Sequence, residues 1–315
     1  MPRPDERGVA LLLALLVLAL LVALILEFDT DARREYRDAA AFRDNFKATV
    51  LTRAAVKAAS AVLQQDHLKD KQSGELYDGL TDLWAFPIEK YAIGDGLLTA
   101  QIEDERGKLN LNDLAASGVP AAKQVKIFRV KRLFELLQIN PDLVDVIVDW
   151  VDADDVPEAA GAETLYYQSL RPPYRAANAP LQTVGELKLL KGMTQEILDK
   201  LMRYVTVYPY DGESRVNINT ADALVIQSLD PSVTSVMAAE IIQARPFRKV
   251  TDLDNVGSAK ETFAKLRIPP VYDVKSHIFS GRMTITTNET TKNGAVVLQR
   301  DESSGESSVL YFRFL

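Results

Sequence analysis

The chain has 315 residues, with 44 acidic against 37 basic side chains and a net charge of −7, and its isoelectric point lies near 5.1. That balance disfavours a phosphate-binding surface as its main business, while the length leaves room for two compact domains beside a long helix. With no cysteine and two histidines, the chain excludes a disulfide framework, a thiolate zinc site and a cysteine nucleophile.

From Val9 to Leu26 no side chain is polar. At about 1.5 Å rise per residue, roughly 18 such residues approach the hydrocarbon thickness of a bilayer. No glycine falls between Gly8 and Gly74 and no proline between Pro4 and Pro87, so nothing stops the helix at a membrane surface. Apolar residues continue at helical spacing through Phe28, Ala32, Tyr36, Ala39, Phe42, Phe46, Val50, Ala54, Ala58, Ala61 and Val62. The pattern predicts one helix from Gly8 to about Gln65, apolar all round at first and then one-sided. A secretory signal peptide would have a shorter core and a small-residue cleavage site; here Glu27-Phe28-Asp29-Thr30-Asp31 follows. A plain transmembrane anchor and a prepilin-type leader both fit. The flanking charges do not choose an orientation, since Arg3 and Arg7 sit beside Asp5 and Glu6.

Lys69-Asp70-Lys71-Gln72-Ser73-Gly74 reads as a loop. Ile88–Ile93 and Leu97–Asp104 then read as strands joined at Gly94-Asp95-Gly96, a hairpin laid on the long helix. Between about Leu114 and Pro269 the pattern is helical, over Val119–Leu137, Pro141–Val151, Thr183–Lys191, Thr194–Thr206, Thr220–Ser228, Val233–Ala244 and Val250–Asp254. After Pro269-Pro270 the period returns to two in Val274–Thr287, Ala295–Arg300 and Val309–Leu315. The sheet pieces on both sides need each other to bury the helix's apolar stripe. The order therefore predicts an α+β fold: a long N-terminal helix packed on an antiparallel sheet, with a large all-α domain inserted in the sheet.

The densest chemical signal runs from Val148-Asp149-Trp150-Val151-Asp152-Ala153-Asp154-Asp155-Val156-Pro157-Glu158 to Gly161-Ala162-Glu163. Carboxylates recur where a helix gives way to a loop, and hard cations take several oxygen ligands from flexible positions of this kind. Asp152 and Asp154 share one side of an extended segment, and Glu163 can close the site. The spacing is not that of an EF-hand, and a solvated acidic loop is the alternative.

Arg215-Val216-Asn217-Ile218-Asn219-Thr220-Ala221-Asp222-Ala223-Leu224 resembles the opening of helix-hairpin-helix modules, and Leu181-Gln182-Thr183-Val184-Gly185-Glu186-Leu187 through Gly192 has the same rhythm. DNA-binding versions present backbone N–H groups from a Gly-x-Gly hairpin. The corresponding Ser228-Leu229-Asp230-Pro231-Ser232 has no glycine and an added acid, so a packing unit is expected and no nucleic acid. His67 and His277 stand apart, and no HExxH, GxSxG or phosphate-binding loop is present. An enzyme is not expected.

The segment Arg7-Gly8-Val9-Ala10-Leu11-Leu12 resembles the start of a type IV pilin-like subunit. The fifth residue counted from Val9, usually glutamate in that superfamily, is Leu13 here. A glutamate in the membrane needs a partner charge, and its absence is typical of the K-type minor pseudopilins of type II secretion. The Leu109-Asn110-Leu111-Asn112-Asp113-Leu114 stretch, the run from Leu143-Val144-Asp145 through Tyr174-Arg175-Ala176-Ala177-Asn178 to Gly192-Met193, and the terminal strands also resemble that family. The resemblance implies a leader at 1–8 cut between Gly8 and Val9, with N-methylation of Val9 by prepilin peptidase. It implies a membrane segment at 9–26, a pilin-like α/β domain at 27–113 and 271–315, and an inserted α-domain at 114–270. It also implies calcium in that α-domain, carried over to Asp152, Asp154 and Glu163 first, with Asp155 and Glu158 behind them. Asn178 is expected as a turn-former or clamp, and Trp150, Tyr167 and Tyr174 as core. The implied role is the tip of the periplasmic pseudopilus, anchored in the inner membrane until assembly. Implied partners are the I- and J-type minor pseudopilins, other pseudopilins and the inner-membrane assembly platform. A minor pilin of a type IV pilus or competence system, or a membrane-anchored calcium-binding adaptor, are the alternatives.

Overall fold

The computed structural model describes residues 6–115, 120–210, 214–288 and 290–315; most of the expected leader lies outside them. Helix α1 (Glu6–Ser73) is continuous over 68 residues, about 100 Å at helical rise. Among the described residues it is the one helix long and apolar enough to cross a membrane, and its apolar stretch is wholly exposed. Farther along, Ala48, Ala55, Val56 and Leu63 are buried against the sheet. The helix comes close enough that a Cβ on Gly294 would lie 2.8 Å from Thr52 Cγ2, so glycine at that strand position permits the contact.

The helix runs past its expected end and absorbs the loop predicted at Lys69–Gly74. It stops at Gly74, whose φ of +75° suits glycine. Tertiary contacts hold the extra turns, because Asp66 and His67 are buried there and the ring of His67 lies against Gly305.

Strands β1 (Ile88–Ile93) and β2 (Gly96–Asp104) form the expected hairpin. A short strand β3 (Leu109–Asn110) opens the interrupting region. It is followed by α2 (Pro120–Leu136), α3 (Leu143–Val151), α4 (Thr164–Gln168), α5 (Gln195–Leu201) and β4 (Val205–Thr206). Then come β5 (Val216–Asn217), α6 (Ala223–Ser228), α7 (Ser235–Gln243), α8 (Lys260–Lys265) and β6 (Tyr272–Asp273). The chain closes with β7 (Ile278–Thr287), β8 (Thr290–Arg300) and β9 (Ser307–Phe314). The main sheet has the order β1-β2-β7-β8-β9, antiparallel throughout. Strands β2 and β7 pair directly, from Gly96 opposite Thr287 to Asp104 opposite Phe279, so everything between them is inserted at one sheet position.

One face of the sheet, with Leu98, Phe279, Met283, Ile285, Val296 and Leu298, covers α1. The inserted region has a larger core of its own, built around Leu111, Leu133, Phe134, Ile147, Tyr167, Ile226 and Phe263, which reaches Ile278 and Val297 of the sheet. That region is one unit used twice. Leu109-Asn110-Leu111-Asn112 and Val216-Asn217-Ile218-Asn219 each place a two-residue strand before an asparagine turn, where Oδ1 of the first asparagine accepts from N of the second at 3.0 Å. Each second asparagine then stitches its unit shut. Asn112 Nδ2 donates to Leu181 O and Val207 O; Asn219 Nδ2 donates to Phe247 O and Val274 O. In each unit a later strand pairs in parallel with the first, β4 with β3 and β6 with β5.

The predicted helix Thr194–Thr206 therefore splits. It ends at Leu201 as α5, and the β-branched pair Val205-Thr206 becomes β4; a two-residue strand is too short to display a period. The units also differ at one place. After α7 the second unit turns back through residues 244–246, whereas after α3 the first carries the acidic loop 152–180.

Candidate metal centre

Helix α3 is apolar except for Asp145 and Asp149, one turn apart, and Asp152 follows as its C-cap. The aromatic side chains expected in the core hold the base of the loop. Trp150 meets Tyr167 edge-on at 5.2 Å and Tyr174 at 6.4 Å. Glu163 caps α4, its carbonyl accepting from Tyr166 N. The loop thereby folds so that Asp152, Asp154 and Glu163 each bring one carboxylate oxygen within 4.8 Å of the others.

These oxygens are electrostatically unsatisfied. Glu163 is only 6% exposed, and neither of its oxygens, nor Asp152 Oδ1, has a hydrogen-bond partner among the described residues. Burial, reinforced by the charges of Asp149, Asp152 and Asp155, pushes the Glu163 carboxyl up to about 7. Burial raises Asp152 as well, against the opposing Lys123. Buried carboxylates without partners are costly. An all-oxygen donor set of this kind suits a hard divalent cation.

Asn178 is both clamp and donor. With φ at +44°, its Nδ2 donates to Asp154 O at 2.8 Å and to Asp155 Oδ1 at 3.1 Å, and its Oδ1 is buried without a partner. Asp155 is thus tied to the loop beside the group, whereas Glu158 is exposed and its carboxylate does not join the three. What Glu158 contributes is its backbone N–H, which donates to Asp149 Oδ1 at 3.0 Å. Asp149 escaped the list of candidates. It is buried, one oxygen has no partner, and a Cβ on Gly161 would come within 1.8 Å of that Oδ2. An acid at mid-helix among Val146, Ile147, Val148 and Trp150 is the signal that marks it.

A second group, not foreseen, joins Asp66, Asp78 and Asp82 with the same closeness. Here Arg300 Nη2 donates to both oxygens of Asp78 at 2.6 and 2.7 Å, and Ser276 N donates to Oδ2 at 2.7 Å. Arg300 Nη1 lies 3.7 Å from Asp66 Oδ2. Burial still raises Asp66 to about 7 and Asp78 to about 6.

The remaining sequence candidates lie apart. Gly8 and Val9 are exposed on α1, as is Leu13. In the hairpin after α6, Asp230 Oδ1 accepts from Ser232 N at 2.9 Å and so takes the N–H that a phosphate would need. His67 is packed beneath Gly305, and His277 Nδ1 lies 2.8 Å from Arg106 Nη1.

A helix exposed and apolar over its first part, then laid on an antiparallel sheet, defines a pilin-like fold. Residues 107–210 and 216–268 match the family described as type II secretion system (T2SS), protein K, and the boundary between the matches falls between the two repeated units. The chain is 34% identical to type II secretion system protein K of Klebsiella pneumoniae over 76% of this chain and 75% of that one. It is 30% identical to the protein K of Aeromonas hydrophila over 90% of each, and 32% identical to that of Pseudomonas aeruginosa over 77% of this chain and 73% of the other. The chain belongs to the type II secretion system protein K family. Its fold matches a chain in the crystal structure of the GspK-GspI-GspJ complex of enterotoxigenic Escherichia coli, with TM-score 0.75 and 22% identity over 88% of this chain and 99% of that one.

Proposed function

We propose that this chain is the minor pseudopilin at the tip of a type II secretion pseudopilus, required for export of folded proteins from the periplasm across the outer membrane. The observation that carries this reading is the complete pilin-like frame of α1 and the sheet, interrupted between β2 and β7 by a region with a larger core than the frame itself. The exposed apolar stripe of α1 suits packing among neighbouring subunit helices. The bulk of the insertion leaves no room for another subunit stacked beyond it. Leu13 fits the same role, since a subunit without a glutamate there lacks the charge that pairs with a neighbour's amino terminus.

In this reading prepilin peptidase cuts between Gly8 and Val9 and Val9 is methylated. The first part of α1 sits in the inner membrane until assembly, with the remainder in the periplasm. I- and J-type minor pseudopilins are the first partners to test, because the structural relative comes from a complex of those three proteins. Calcium is the cation assigned to Asp152, Asp154 and Glu163, with Asn178 Oδ1 as a neutral oxygen and Asp155 beside them. Bound there, it supplies the positive charge that buried oxygens lack and ties the acidic loop to α3 and α4.

The test has three arms. Mass spectrometry of the mature N-terminus, with and without the peptidase, should show methylated Val9 only in its presence. Deletion should abolish secretion while leaving surface pili and DNA uptake intact; the reverse result would move the protein to a pilus or competence system. Calorimetry of the full chain in detergent should show calcium binding and a higher Tm than with chelator. No binding and no shift would remove calcium from the reading.

A further inference from the structure

Among the described residues, one ion pair reaches the Asp152, Asp154 and Glu163 group. Lys123 Nζ on α2 lies 3.2 Å from Asp152 Oδ2, with the two side chains 28% and 13% exposed. The other oxygen of Asp152 is buried and unpartnered. A second lysine of the same helix, Lys131, pairs with Asp145 at 2.7 Å. That carboxylate lies outside the group and already accepts from Ala160 N. Helix α2 thus presents two ammonium groups to the acidic loop, and only one of them touches a candidate cation ligand.

We infer that Lys123 is a resident competitor for the cation site: it holds Asp152 when no divalent ion is bound and sets how tightly such an ion is taken up. This rests on the cation reading of the site given above. An incoming ion must either displace the ammonium from Asp152 or share that carboxylate with it. In both cases two positive charges meet within a few ångströms in a half-buried place, where solvent screens them only in part. Lys123 therefore lowers the affinity and places the ion and α2 in opposition. The consequence extends beyond the loop. Arg129 Nε of α2 donates to Leu229 O at 3.1 Å and Arg132 Nε to Gln227 O at 2.9 Å, so α2 is also the strap to the second repeated unit. Loading the ion releases the acidic loop from the helix that joins the two units.

The experiment is calcium titration by calorimetry on the full chain in detergent, with Tm measured in calcium and in chelator. Lys123→Met should tighten calcium binding by about tenfold. It should lower Tm in chelator, where Asp152 loses its partner, and enlarge the rise on adding calcium. Lys123→Arg should stay near the wild-type affinity. Lys131→Met should tighten binding by less than about threefold, because Asp145 is not a ligand. The gap between Lys123→Met and wild type should narrow in high salt. Equal affinities for wild type and Lys123→Met would overturn the inference while leaving the cation site standing. An equal gain from Lys131→Met would replace competition at Asp152 by the general field of α2. Failure of the wild type itself to bind would sink the cation site, and this inference with it.

Discussion

Asp66, Asp78 and Asp82 crowd their oxygens as closely as Asp152, Asp154 and Glu163 do, yet the two groups meet the repulsion differently. In the first, the guanidinium of Arg300 is buried among the carboxylates and gives two bonds to Asp78, and the charge is balanced from inside. In the second, only Lys123 stands near, at the rim on Asp152, and the oxygens of Glu163 face no donor. A carboxylate triad with its own arginine is a fastening. One without is a vacancy for charge, and that contrast, rather than the number of acids, separates a structural cluster from a binding one.

The contrast can be broken most violently at Arg300. Arg300→Leu strands the fully buried Asp78 and should cost about 3–5 kcal/mol, or leave the chain unable to fold; a urea denaturation midpoint close to wild type would contradict the fastening. The opposite behaviour is expected of Glu163→Gln. In chelator it should be neutral or stabilising by about 1 kcal/mol, since it removes an uncompensated buried charge. It should also abolish the gain that calcium gives the wild type, about 2.7 kcal/mol at a hundredfold excess over Kd, as thermal melts would report. A substantial loss in chelator would show that Glu163 has a partner after all. Gly161→Ala should cost about 1–3 kcal/mol by driving a methyl into Asp149, and it should weaken calcium binding because Asp149 holds the loop through Glu158 N.

The smallest effect is the dependence on pH. Asp66 and Asp70 are both raised to about 7 from the usual 3.8, chiefly by burial, so the folded state binds these protons more tightly than the unfolded chain. Their contribution is most favourable near pH 4, declines as pH climbs towards 7 and is level above. Denaturation midpoints between pH 5 and 8 should fall and then flatten, and Asp70→Asn should shallow the slope. A slope unaffected by that substitution would place the titration elsewhere.

Local pattern carried much of this molecule. The unbroken apolar run of α1, the Gly94-Asp95-Gly96 turn and the alternation in the last strands are each written within a few residues, and so is the spacing of Asp152, Asp154 and Glu163. What escaped depends on distant chain. Asp66 on α1, Asp78 and Asp82 after it, and Arg300 at the end of β8 look like ordinary surface charges until the sheet brings them together. The last turns of α1 read as loop because Lys69, Asp70, Lys71 and Gln72 are polar, and only the burial of Asp66 and His67 keeps them helical. The two Asn-x-Asn turns were visible as words, but their shared task of closing a parallel strand pair was not.

Asp104 and Phe279 are register partners, so the chain leaves and re-enters the sheet at adjoining points. Around them, Asp104 Oδ2 accepts from Asn217 Nδ2 and Thr220 Oγ1, each at 2.7 Å, and buried Glu105 accepts from Thr206 Oγ1 at 2.6 Å. Mechanically this is a two-post mount with cross-bracing, not a swivel. A thrust delivered along α1 passes into the inserted region through both posts at once, and the head would be carried forward without turning on its shaft.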